Sequence, residues 1–295
     1  MKQSVYQRVT DQIVACLETG TPPWKKDWLE GSSIMPIRHV ANEPYTGGLN
    51  ILLLWIEREL AGYEHNRWLT YKMAQDLGFN VGKGEKGTLI TYVSTGTDKD
   101  DETRTYQFYK PSYVFNVEQV PGLVDTFEPA PVFEHCQEDI ALADRLPQAL
   151  NVRVKEGQPS YSPTLDVIKM PTPSAFMTSQ GYMSTLAHET VHATGHKSRC
   201  DRDLTGRFGD EAYAMEELIA EIGAAFITAQ WGMHYQIEQH ASYIESWLKV
   251  LKRDPKAVFT AAAKATQATK YIENALRFAG VEPHGSLNDF ITDAA

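Results

Sequence analysis

The chain has 295 residues, 42% of them hydrophobic, and a formal net charge of −10; it can fill two ordinary domains, and its surface as a whole is no indiscriminate binder of nucleic acid. No apolar run reaches membrane length, the longest being Ile51 to Ile56, and the stretch from Met1 to Gly20 lacks the layout of a signal peptide. Three cysteines, Cys16, Cys136 and Cys200, form no CxxC, which excludes a disulfide framework and a thiolate zinc site and makes a reducing cytoplasm the expected location, with no membrane partner.

In chain order, Val5, Val9, Ile13 and Leu17 form a helical stripe that ends at Gly20 and the pair Pro22-Pro23. A second helix is predicted over Gly48 to Ala61, and Thr70 is the expected cap of a short helix running through Leu77. Strand-like runs follow at Thr88 to Ser94, Arg104 to Lys110 and Tyr113 to Val117, with Asp98-Lys99-Asp100-Asp101-Glu102 as a solvated hairpin tip between the first two. Phe127-Glu128-Pro129-Ala130-Pro131 marks a boundary, giving expected domains 1–127 and 138–295 joined by a linker 128–137. The second domain opens with a helix near Glu138 to Leu150. A strand at Asp166 to Lys169 is then expected at the edge of a sheet, lining a cleft for an extended substrate. Helices are predicted through the segment ending at Gly195, over Asp210 to Gln230, Ile237 to Leu251 and Lys256 to Ala279. The fold class is therefore α+β: a small mixed α/β domain, then a mostly helical domain with a short sheet. The acidic excess lies in the second part, where fifteen Lys and Arg face twenty-two Asp and Glu over residues 128–295; residues 1–97 carry ten of each.

His188-Glu189-Thr190-Val191-His192 is an HExxH motif on one of these helices. Residues four apart share a helix face, so both imidazoles can reach one metal ion, while Glu189 sits where its carboxylate can act on water as a general base. Catalytic zinc takes three protein ligands and leaves one position for water. The block Glu216-Glu217-Leu218-Ile219-Ala220-Glu221 supplies the third ligand. Glu217 followed by Glu221 fits a ligand and a supporting carboxylate, and Glu216 lies about 100° round the helix from Glu217, so the two do not both bind the ion. His196 is not spaced for a three-histidine site, because the extended motif puts its third histidine where this chain has Ser198. The chemistry is that of a zinc-dependent hydrolase, most simply a peptidase, with Mn2+ or another divalent metal as an alternative to Zn2+. Tyr182, Tyr213 and His196 are candidate oxyanion helpers.

In the first domain, Gly82-Lys83-Gly84-Glu85-Lys86-Gly87 matches GxGxxG by letter, yet a helix precedes it and a strand follows, the reverse of a dinucleotide site. A glycine-rich basic turn suits a nucleic-acid backbone better. Trp24-Lys25-Lys26-Asp27-Trp28 and Arg67-Trp68-Leu69-Thr70-Tyr71-Lys72 interleave rings with cations, as single-stranded nucleic acid requires, each stacked base contributing about 1–3 kcal/mol. The competing expectation, which composition favours, is that Trp24, Trp28 and Trp68 are core residues.

Tyr6-Gln7-Arg8-Val9-Thr10, Pro23-Trp24, Tyr45-Thr46-Gly47-Gly48-Leu49-Asn50, Arg67-Trp68-Leu69-Thr70-Tyr71, Lys83-Gly84-Glu85-Lys86-Gly87 and Val114-Phe115-Asn116-Val117 with Gln119 stand in one half. In the other, the HExxH run continues through Ala193-Thr194-Gly195-His196 to Ser198-Arg199, followed by Tyr213-Ala214 and the glutamate block. Together these resemble the ArdC-type antirestriction proteins of conjugative plasmids over nearly the whole chain. Cys200 departs where an apolar residue is expected. The resemblance implies an N-terminal domain binding single-stranded DNA with little sequence preference and a C-terminal zincin-like metallopeptidase domain. It further implies protection of plasmid DNA from host restriction during transfer. By likeness to gluzincins it makes Glu217 the third ligand beside His188 and His192, with Glu221 behind them and Glu189 catalytic. It raises the DNA reading of Trp24, Trp68 and the lysines above the core reading without saying which of them touches DNA; the candidate DNA-facing set is Trp24, Lys25, Lys26, Arg38, Tyr45, Asn50, Arg67, Trp68, Tyr71, Lys72, Lys83 and Lys86. The implied partners are single-stranded DNA and a protein substrate such as a host restriction component. The alternative is a DNA-masking protein whose metal site is structural or idle.

Overall fold

The computed structural model describes residues 4–20, 22, 35–97, 104–126, 139–207, 210–231, 235 and 241–281. The first apolar stripe becomes the buried face of α1 (Val5–Glu18), where Val9, Ile13 and Leu17 are inside, and the Ser4 hydroxyl caps it by accepting from the Gln7 N–H at 3.2 Å. Two short strands, β1 (Ile37–Arg38) and β2 (Glu43–Pro44), precede α2 (Gly48–Ala61). α2 is apolar almost all round, so it is buried on most sides, and it stops at Gly62, whose φ of +72° suits glycine. After β3 (Arg67–Leu69), Thr70 caps α3 (Tyr71–Asp76) by accepting from the Met73 N–H at 3.2 Å, as its position predicts. β4 (Thr88–Thr97) and β5 (Thr105–Asn116) complete a sheet ordered β2-β1-β3-β5-β4, in which β1 and β3 are parallel and the other neighbours antiparallel.

The two runs on either side of Pro111 form one strand, not two. Pro111 stands opposite Thr91, whose N–H donates to the Asn50 amide oxygen at 2.8 Å and whose carbonyl accepts from the Asn50 amide nitrogen at 2.7 Å. Both Thr91 backbone groups therefore point away from β5, and this pair exchanges no ladder hydrogen bond. A proline costs nothing where no N–H is needed. The same asparagine covers the outer edge of β4.

The second part begins with α4 (Asp139–Ala149) and the strands β6 (Arg153–Glu156), β7 (Ser160–Ser162) and β8 (Val167–Met170), in the order β6-β8-β7. β8 is thus the central strand, not the expected edge. Its residues Val167, Ile168 and Met170 are buried, whereas β6 is exposed along its length and β7 is Ser-Tyr-Ser, so neither flanking strand had a hydrophobic signal to announce it. Four helices follow: α5 (Ser179–Thr194), α6 (Glu211–Gln230), α7 (Ala241–Arg253) and α8 (Ala257–Phe278). No helix among the described residues is long and apolar enough to cross a membrane. The main core runs from α1 and α2 through α5 and α6 to α8, so the two parts of this α+β molecule share one apolar interior. Residues 127–138, where the boundary and linker were expected, and Asp98 to Glu102 of the hairpin tip lie outside the described residues, as does Cys136.

Candidate metal centre and nucleic-acid interface

α5 and α6 meet closely because Gly223 on α6 has no side chain where Val191 packs; a Cβ there would stand 3.0 Å from both Val191 methyls. That approach brings Glu217, six residues earlier on α6, up to the imidazoles of α5. Glu217 Oε2 lies 3.5 Å from His188 Nε2, Glu217 Oε1 lies 3.6 Å from His192 Nε2, and the two Nε2 atoms are 3.1 Å apart. Ligand atoms about 2.0–2.2 Å from a tetrahedral centre stand roughly 3.3–3.6 Å from one another. The trio His188, His192 and Glu217, with one ligand atom of each within 4.8 Å of the others, therefore has the spacing and the N,N,O donor set that a divalent ion requires.

The outer contacts orient these ligands. His192 Nδ1 donates to Glu216 Oε1 at 3.1 Å, which leaves its Nε2 lone pair aimed at the centre. Glu216 is gripped by Arg202, whose Nε and Nη2 donate to its two oxygens at 2.8 and 2.7 Å. The same guanidinium donates to Thr194 Oγ1 at 2.8 Å and to the Val191 carbonyl at 2.7 Å, tying the end of α5 to α6. On the other imidazole, Glu221 Oε1 stands 3.9 Å from His188 Nδ1, an ion-pair distance beyond hydrogen-bond reach, while Glu221 Oε2 accepts from the Tyr235 hydroxyl at 2.7 Å. Glu216, which the helical angle had separated from Glu217, thus occupies the supporting role on His192. Neither Arg202, in the loop before α6, nor Tyr235, beyond it, carries a periodic signal that could have named it.

Electrostatics divide the carboxyls. Burial works to raise Glu217, yet its hydrogen bond with His188 and the nearby His192 hold it down to about 2. For His188 burial acts to lower the pKa, and Glu217, Glu221 and Glu189 overcome it, raising it to about 9. Glu189 is buried and shifted upward by desolvation, against the pull of His188 and His192, and its carboxylate accepts the Tyr161 backbone N–H from β7. The edge strand beside the candidate base is therefore β7. Arg199 secures it, bonding Asp166, the Tyr161 hydroxyl at 3.1 Å and the Ala193 carbonyl at 2.7 Å. Of the three oxyanion candidates, Tyr213 touches the ligand set through a hydrogen bond to Glu217. Tyr182 instead donates to Asp144 at 2.8 Å, and His196 Nδ1 is taken by Ser198.

The candidate DNA residues scatter. Trp24, Lys25 and Lys26 lie outside the described residues. Trp68 is 1% exposed, packed with Leu54 and Val114, and its indole N–H donates to Asn66 at 2.9 Å, so the core reading of this tryptophan is the right one. Asn50 is occupied by Thr91 as described, Tyr45 is half-buried with its hydroxyl pushed up to about 12 by burial, and Arg67 is half-buried. Arg38 is exposed but pairs with Glu43 at 2.9 Å. Tyr71, Lys72, Lys83 and Lys86 remain on the surface. Lys83 and Lys86 ride on a turn with Gly84 at φ +91°, pinned where the Gln119 amide donates to Glu85 and to the Lys86 carbonyl. α3 precedes that turn and β4 follows it, the order that argues against a dinucleotide loop. Half-buried Phe115 and the exposed Tyr113 of β5, neither of them among the DNA-facing candidates, border the same turn, since a Cβ on Gly87 would lie 3.0 Å from Tyr113 Cβ and 3.2 Å from the Phe115 ring.

An HExxH helix crossed by a glutamate helix is the arrangement of a zincin, and residues 141–264 match the family model of zincin-like metallopeptidases. A divalent metal is implied by that domain. Residues 3–115 match the model of the N-terminal domain of anti-restriction factor ArdC. The chain belongs to the ArdC antirestriction family. It is similar to the antirestriction ArdC protein of plasmid R388 in its metal-free crystal structure, at 36% identity and a TM-score of 0.77 over 95% of this chain and 100% of that one. The Mn(II)-bound structure of the same protein matches at 37% identity and a TM-score of 0.75, over 92% and 98% of the two chains. An uncharacterized protein, y4eC, from Sinorhizobium fredii (strain NBRC 101917 / NGR234) is 38% identical over 91% of both chains. DNA primase TraC of Escherichia coli is 33% identical over 92% of this chain, which spans only 27% of that protein.

Proposed function

We propose that this protein is an antirestriction factor that binds single-stranded DNA through its N-terminal domain and hydrolyses peptide bonds at the His188/His192/Glu217 centre, shielding incoming plasmid DNA from host restriction. The observation that carries the reading is the convergence of those three ligand groups beside the buried Glu189. A divalent ion held there supplies Lewis acidity for a peptide carbonyl and makes water nucleophilic near neutral pH. Zn2+ and Mn2+ are both candidates. Glu189 takes the proton from the attacking water and passes it to the leaving nitrogen, a task its upward-shifted carboxyl suits. Tyr213 would have to exchange its hydrogen bond with Glu217 to donate to an oxyanion, Glu216 and Arg202 hold His192 in its tautomer, and Glu221 lies behind His188. Water and peptide reach the base along β7.

The test is to incubate metal-loaded protein with host restriction components, with and without single-stranded DNA, and look for fragments. Cleavage by the wild type and none by Glu189→Gln supports the reading. If Glu189→Gln protects DNA fully while Lys83 and Lys86 variants lose protection, the protein acts by masking DNA and the metal centre is not used for proteolysis.

A further inference from the structure

Among the described residues, two surfaces of the N-terminal sheet expose aromatic rings. One carries Tyr92, Tyr106 and Phe108, with Tyr106 55% exposed and the Lys110 ammonium 5.4 Å from the Phe108 ring centroid. The other carries Tyr113 and Phe115, two residues apart on β5 and so on one face, with Tyr71 of α3 edge-on to Phe115 at a ring separation of 6.2 Å. Tyr71 is 49% exposed and Tyr113 46%. Cations frame this second surface. The Arg8 guanidinium lies 6.0 Å from the Tyr113 ring centroid and donates to its hydroxyl at 3.1 Å, and the Lys83–Lys86 turn leads straight into Gly87 against the same rings. Gly87 keeps the ground between the rings flat.

On the reading that the N-terminal domain binds single-stranded DNA, we infer that the strand lies across Tyr71, Phe115 and Tyr113, its bases stacked on the two tyrosines and its phosphates met by Arg8, Lys83 and Lys86. Exposed rings interleaved with cations suit a polyanion whose bases are unpaired; a duplex offers no free base face. The other surface, whose Tyr92 and Tyr106 are equally exposed, is the control.

Fluorescence anisotropy of a labelled oligothymidylate with the full-length, metal-loaded protein tests this. Tyr71→Leu/Tyr113→Leu, which keeps apolar bulk but removes both rings, is expected to weaken binding by about tenfold or more, while Tyr71→Phe/Tyr113→Phe keeps it and Tyr106→Leu leaves it unchanged. Lys83→Gln/Lys86→Gln is expected to lower the slope of log affinity against log salt by about 0.7 per lysine. Wild-type affinity in the leucine pair, with a melting curve showing it folded, or an equal loss in the phenylalanine pair, overturns the stacking platform and leaves DNA binding intact. A wild-type protein that fails to bind the oligonucleotide overturns the DNA reading itself, and the platform with it.

Discussion

The α5–α6 centre and the open face of the N-terminal sheet treat charge in opposite ways. At the centre, Glu189, Glu216, Glu217 and Glu221 are buried together with His188 and Arg202, and each carboxylate is met by an imidazole, a guanidinium, a tyrosine hydroxyl or a backbone N–H. Beside the sheet, Lys83, Lys86 and Tyr71 stand in water, held by the pinned turn and by the edge-on contact of Tyr71 with Phe115. Buried charge makes each partner indispensable, since losing one strands the other. Exposed charge makes partners interchangeable and salt-sensitive. On the proposed reading, the first kind of site suits chemistry on a fixed bond and the second suits holding a polymer of any sequence.

The contrast can be broken from the largest effect downward. Glu189→Gln is expected to cut peptide hydrolysis by about 10²–10⁴ while the protein still binds metal, measured by cleavage rate alongside metal content; full activity in this variant removes Glu189 as the base. Arg202→Met leaves Glu216 buried beside a single partner, so chemical denaturation should show a loss of about 3–5 kcal/mol, and metal affinity should fall about 10–100-fold. An Arg202→Met protein of wild-type stability would mean that the centre is as forgiving as the surface. Asn50→Ala deprives the Thr91 N–H of its partner and should cost about 1–3 kcal/mol in stability while the folded protein keeps its affinity for DNA, in contrast to its place among the DNA-facing candidates. The last effect is one of pH. A His188 pKa raised to about 9 means that its proton stabilises the metal-free protein fully below the ordinary value of 6.5, and that this contribution is lost as pH rises through 9. Metal binding needs the neutral ring, so affinity should climb as pH rises towards about 9, with measurable proton release. Calorimetry in two buffers showing a flat profile would take His188 out of the ligand set.

The metal centre was largely legible because helical spacing ties His188 to His192 and Glu217 to Glu221 through covalent geometry alone. Its supporting groups were not, since Arg202 and Tyr235 arrive from outside the helices and only the closed fold brings them in. Helices with capping residues, such as α3 behind Thr70, could be read to within a residue or two. Strands were read unevenly: β4 and β8 fall on their predicted runs, but β7 is too short and polar to be seen, and Pro111 looked like a break until Asn50 explained why it is harmless there. The surface was the least legible part, because burial decides what an aromatic residue does. Trp68 and Tyr71 sit three residues apart in one aromatic and basic run, yet one is core and the other stands in solvent.

Gly48, the first residue of α2, has a further consequence. A Cβ there would come within 2.8 Å of the Phe226 ring on α6 and 2.9 Å of the Ala262 carbonyl on α8. Phe226 lies nine residues beyond Glu217, about 13 Å along the same helix. The segment that would grip DNA and the segment that would grip metal therefore rest on one bar, and the two are not detachable modules. Either half made alone would expose Trp55 or Phe226, whose tilted rings lie 5.8 Å apart, and the apolar residues around them. If both proposed activities are present, truncation on either side of this contact should abolish them together.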